Sequence, residues 1–115
     1  MVSDMGRICV YLPEYSNPAG GRPRARFPES KFRETARDLV THFGAGTWRR
    51  GCVGIWIDRD GTAYVDRIRI LMFDTYHARR DLRWVKAYAH SVLLSRFDQK
   101  AIYVTLAKIE PVVVR

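Results

Sequence analysis

The sequence predicts an α+β fold in which four strands and two helices follow one another as β-α-β-β-α-β. Three observations carry that reading: period-two apolar alternation in four separate runs, helical apolar stripes in two others, and turn or cap residues between them. The chain has 115 residues, which fits one α+β domain over 1–115 with a hydrophobic core of its own.

The elements come in order. Residues 7–12 alternate Ile8, Val10 and Leu12 against Arg7, Cys9 and Tyr11, as a half-buried strand does. A loop over 13–28 follows, with four prolines, adjacent Gly20 and Gly21, and Arg22, Arg24 and Arg26; a loop this long points to function or disorder. A helix opens near Pro28–Ser30. Its apolar face is Phe32, Ala36, Leu39, Val40 and Phe43, and Gly44 stands where a left-handed cap belongs. Val53, Ile55 and Ile57 mark a second strand over 48–57. Asp58-Arg59-Asp60-Gly61 turns the chain, and a third strand over 62–73 carries Ile68, Ile70 and Met72, so the two form a hairpin. A second helix over about 79–97 buries Leu82, Val85, Ala89, Val92, Leu93 and Phe97. The last strand, 101–109, carries Ile102, Val104 and Leu106.

This order is that of the ferredoxin-like split β-α-β plan: a four-stranded antiparallel sheet with both helices on one face. Right-handed crossovers give a strand order of 4-1-3-2. The Ile/Val/Leu sets then lie under the helices. The alternate residues, Arg7, Cys9, Tyr11, Cys52, Trp56, Arg67, Arg69, Leu71, Tyr103 and Thr105, are expected on the open face. In that arrangement Cys9 and Cys52 are separated by the third strand at roughly 9–10 Å, too far for a disulfide, so both are expected reduced.

Charge narrows the choice of partner. Lys and Arg number 20 against 12 Asp and Glu, for a formal net charge of +8, and 16 of the 20 are Arg. Guanidinium groups suit phosphate and carboxylate partners, and an excess of this size favours nucleic acid or another polyanion. No apolar run approaches the ~20 residues of a membrane helix, and the start around Asp4 lacks a secretory signal, so a cytoplasmic protein with no membrane partner is expected. With no Cys-x-x-Cys and three histidines far from both cysteines, neither a metal site nor a cofactor is expected.

The candidate binding platform is Tyr11, Trp56, Arg67, Arg69 and Tyr103 on the open face, with Arg22, Arg24 and Arg26 as a clamp. Aromatic rings stack bases at about 1–3 kcal/mol each, and guanidiniums take phosphates. Tyr, Trp and Arg are also the residues enriched at protein interfaces, so a second copy or another protein is the alternative occupant. The element order is shared with RNA-recognition modules, yet the motifs are not. Val10-Tyr11-Leu12 is followed by Pro13 and Glu14, and the third strand reads Tyr64-Val65-Asp66-Arg67-Ile68-Arg69-Ile70 without the glycine and alternating aromatics of that family.

Catalytic candidates are few. His77, oriented by Asp74 beside Tyr76, has the chemistry of a general base, but no nucleophile accompanies it in sequence. Asp58 and Asp60 lack the further oxygen ligands of a calcium loop and read as a hairpin turn. Arg79, Arg80, Arg83 and Lys86 open the second helix as a basic run; such a helix start can bind phosphate, though most runs of this kind are a solvated face. The expectation is a small, basic, oligomeric and non-enzymatic binding module with an anionic partner, nucleic acid favoured. A protein-interaction subunit, or an enzyme using His77 and Asp74, is the alternative.

Overall fold

A computed structural model describes residues 4–17, 24–57 and 59–115. Four antiparallel strands, β1 (Gly6–Pro13), β2 (Thr47–Ile57), β3 (Ala63–Thr75) and β4 (Tyr103–Lys108), form one sheet in the order β2-β3-β1-β4, which is 4-1-3-2 read from the other edge. Helix α1 (Glu29–Phe43) joins β1 to β2. Helix α2 (Ala78–Tyr88) runs on through a π-helical turn (Ala89–Leu93) and a last α-helical turn (Leu94–Arg96) before β4.

Local chemistry sets the helix ends. Pro28 is extended, so α1 begins at Glu29. Gly44 ends it at φ 87°, donating its N–H to the Val40 carbonyl at 2.7 Å, the left-handed cap that a side chain with Cβ disfavours. The core is one cluster of Ile8, Val10 and Leu12 from β1, Leu71 and Phe73 from β3, Phe32 and Leu39 from α1, and Val85, Leu93 and Phe97 from the second helical segment and its end. Phe32, Phe97 and Phe27 form a chain of ring contacts at 5.2 and 5.3 Å through this layer. Both helices therefore cover the β1 face that carries Ile8, Val10 and Leu12.

Register corrects the expected facing of β3. Ile8 pairs with Phe73, Val10 with Leu71 and Leu12 with Arg69, and directly opposed residues share a face. Leu71, Arg69 and Arg67 thus point to the helix side, and Ile68, Ile70 and Met72 point to the open side, the reverse of the expectation. A one-residue change of parity flips every side chain of a strand. The cause is on both sides of β3: Ile70-Leu71-Met72-Phe73 is apolar without a break, and Phe73 stacks on Phe43 of α1 at 4.9 Å.

β2 carries a bulge. Arg49 pairs with Ile70 and Cys52 with Ile68, so Arg50 and Gly51 together oppose Arg69, with Gly51 at φ 70°. Beyond the bulge, Val53, Ile55 and Ile57 share the helix side with Val65, but they are 59%, 71%, 68% and 60% exposed. Of these, Val53, Ile55 and Ile57 were expected in the core. No helix reaches them, because the hairpin runs past the layer that α1 and α2 cover.

Cys9 and Cys52 are free thiols. Cys9 lies opposite Met72 and Cys52 opposite Ile68, so β3 lies between them and they are offset by four positions along it. Two strand spacings combined with that offset put them well beyond disulfide reach.

Candidate functional site

The change of parity in β3 dismantles the expected platform. Arg69 is completely buried, its guanidinium 4.0 Å from the Phe32 ring centre and 5.3 Å from that of Trp48. Its Nε donates to Glu14 Oε1 at 3.1 Å, Nη1 donates to Glu29 Oε2 at 2.8 Å, and Nη2 donates to Glu29 Oε1. This is a structural ion cluster in which two carboxylates and two rings replace the lost water. Hydrogen bonding from Arg69 pushes the Glu29 carboxyl down to about 2. The same Glu29 bonds raise the Arg69 pKa above its usual value, against the effect of burial.

Arg67 lies on the same side as Arg69 but is exposed. It borders a shallow cavity of about 300 Å³ with Tyr15, Arg24 and Val65. Arg24 stands 5.9 Å from the Tyr15 ring centre, donates to the Ser16 carbonyl at 3.1 Å and pairs with Asp66. The base of the loop is ordered. Tyr15 bridges Arg26, Ser16 N–H donates to the Ala25 carbonyl at 2.8 Å, and Arg26 Nη2 reaches Glu29 Oε1 at 3.4 Å. Arg24 and Arg26 are therefore held by acids and backbone, which argues against a free clamp. Arg22 lies outside the described residues.

Tyr11 and Tyr103 do meet on the open face, with ring centres 5.1 Å apart at 49°, and the Tyr11 and Thr105 hydroxyls are 3.3 Å apart. Trp56 pairs with Tyr64 in the strand register, and its side chain is outside the described ones. The open face thus keeps its tyrosines and carries Arg7, Cys9, Arg49, Ile68, Ile70 and Met72, while Arg67 and Arg69 point to the helix side.

The catalytic candidates are not brought together. Asp74 accepts from Arg7 Nε at 2.8 Å and from Arg7 Nη2 at 3.2 Å. The cavity of about 350 Å³ beside this pair is lined by Arg7, Phe43, Ala45, Gly46, Thr47, Met72 and Asp74, and His77 is not part of it. His77 is exposed at the start of α2, where its backbone N–H donates to Thr75 Oγ1 at 2.9 Å. Among the described residues no group of three metal-ligating side chains occurs. Asp58 lies outside the described residues.

Sequence reasoning missed one polar relay. Asp81 of α2 is buried, accepts from the Thr75 hydroxyl, and lies 3.0 Å from His42 Nε2 of α1. The His42 ring stacks on Trp84 at 3.7 Å and 6°. Burial would raise the Asp81 pKa, but bonds from Thr75 and His42 outweigh it and hold the carboxyl below its usual range. The relay couples α1 to α2 and to the end of β3; the 39-residue separation of His42 and Asp81 hid it.

No family model matches the chain, and no curated protein matches it in sequence. A solved structure, that of CutA from the phytopathogenic bacterium Xylella fastidiosa, is similar with a TM-score of 0.61 and 13% identity over 96% of this chain and 88% of that one. The likeness is one of fold. Among the described residues no helix is long and apolar enough to cross a membrane.

Proposed function

We propose that the chain is a non-enzymatic, self-associating binding module of the ferredoxin-like plan, and that the β2–β3 hairpin is where copies meet. The observation that carries this reading is the exposed apolar stripe of Val53, Ile55, Ile57 and Val65. β2 is moreover an edge strand of 11 residues. A long apolar edge presents unpaired backbone donors and acceptors, and such an edge pairs with another chain unless it is covered. A second copy is the fitting occupant, because an apolar stripe beside a free edge is complementary to itself. Sedimentation velocity tests this. The wild type is expected to sediment as a multiple of 13.4 kDa and Ile55→Glu as a monomer; a monomeric wild type at tens of micromolar sinks the reading.

The anionic-partner reading is supported by the net charge of +8 and by Arg67, exposed beside Arg24 and Tyr15. Nucleic acid is the favoured partner, engaged on the helix side of the sheet rather than on the open face. Salt-sensitive binding of a labelled single-stranded RNA, weakened by Arg24→Ala/Arg67→Ala, supports it. Absence of binding at low salt removes it.

A further inference from the structure

We infer that Arg33, Arg37 and Arg50 form a phosphate-binding site between α1 and the β2 bulge, in a cavity that shares no lining residue with the one bordered by Arg24 and Arg67. The inference rests on the anionic-partner reading and supplies it with a location. Arg33 and Arg37 are four residues apart on α1, so they project from the same side of the helix. Arg50 comes from the β2 bulge, where Gly51 takes the left-handed conformation. Together with Trp48 and Ala36, these three arginines line a cavity of about 450 Å³ whose walls contain no carboxylate.

Three guanidiniums around one cavity repel one another unless an anion is placed among them. Arg33 and Arg37 have no carboxylate partner among the described residues. Among the described residues the one carboxylate that Arg50 reaches is Glu29, at 3.6 Å, and Glu29 is already bound by Arg69 and approached by Arg26. One carboxylate serving three arginines leaves Arg50 largely uncompensated. The site is also braced: the Arg50 guanidinium lies 5.7 Å from the Trp48 ring centre, and the buried Arg69 lies 5.3 Å from that ring. Planar guanidinium forks match the paired oxygens of a phosphoryl group. The ligand class is therefore a phosphate-bearing molecule, supplied by a nucleic acid backbone or by a free di- or polyphosphate.

The test uses the full chain and two probes, a labelled ten-nucleotide single-stranded RNA followed by anisotropy and inorganic pyrophosphate followed by calorimetry. Both are run on the wild type, on Arg33→Ala/Arg37→Ala and on Arg24→Ala/Arg67→Ala, with circular dichroism and sedimentation confirming unchanged fold and mass. The expected result is a loss of about tenfold or more in Arg33→Ala/Arg37→Ala at low salt, with the salt slope for RNA reduced by roughly 1.4 for two lost phosphate contacts. Binding of RNA alone assigns the site to a polymer backbone, and binding of both probes assigns it to phosphoryl groups in general. Binding weakened only by Arg24→Ala/Arg67→Ala overturns this site and leaves the broader reading standing; absence of binding by both probes overturns both.

Discussion

Replacing Arg69 by alanine removes a cation that neutralises a buried acid. The Glu14 side chain is 8% exposed, its hydrogen-bonded cation partner among the described ion pairs is Arg69 at 3.1 Å, and Arg69 itself is 0% exposed. Breaking a buried pair from one side leaves an uncompensated charge, at a cost of about 3–5 kcal/mol. The lost side chain also leaves a void beside Phe32 and Trp48, which adds to that cost. For a chain of this length the change corresponds to a melting temperature lowered by roughly 12–20 °C. Arg67→Ala, two residues away on the same strand but exposed, is expected within about ±0.5 kcal/mol. Urea titrations of both variants followed by tryptophan fluorescence make the comparison. The double variant Glu14→Gln/Arg69→Met removes both charges and is expected to recover most of the loss. An Arg69→Ala loss below about 1 kcal/mol, or one equal to that of Arg67→Ala, refutes the assignment of Arg69 to the core.

Further outcomes follow from the same contacts. Glu29, at about 2 in the folded chain against an ordinary 4.5, contributes stability that is fully present above pH 4.5 and is lost as pH falls toward 2. Glu29→Gln is expected to flatten the acid limb of a melting-temperature profile in that window, and an unchanged limb contradicts the Arg69–Glu29 bonds. Asp81, held below its usual value, acts in the same direction, so Asp81→Asn is expected to be destabilising at neutral pH and progressively less so in acid. Tyr88 donates to Asp38 at 2.6 Å and accepts from Arg96 at 3.2 Å, so Tyr88→Phe is expected to cost about 1–2 kcal/mol by urea denaturation. Arg7→Ala breaks only the half-exposed Asp74 pair and is expected to cost no more than about 1 kcal/mol.

The elements were legible where one period dominated. β1 alternates cleanly, and its Ile8, Val10 and Leu12 lie in the core as read; Gly44 caps α1 for the reason its position implied. β3 was not legible, because four consecutive apolar residues allow either parity and the polarity of Arg67 and Arg69 decided the reading. What reverses it lies far along the chain: Glu14 is 55 residues and Glu29 40 residues from Arg69. Val53, Ile55 and Ile57 carry the pattern of a core strand, but pattern reports which face a residue takes and not whether a helix extends over it. The π-helical turn at Ala89–Leu93 has no sequence marker that distinguishes it from the surrounding helix. Arg33 and Arg37 lie outside the apolar stripe of α1 and carried no signal of their own in the sequence; the packing of β2 against α1 brings Trp48 and Arg50 beside them.

The central claim, that the β2 edge is the contact between copies, is tested most directly by hydrogen exchange of the 52–57 segment at high and at low protein concentration. An edge strand paired with a second chain protects its outward amides, so protection is expected to rise with concentration and to disappear in Ile55→Glu. Rapid exchange of these amides at every concentration, alike in wild type and variant, would contradict it.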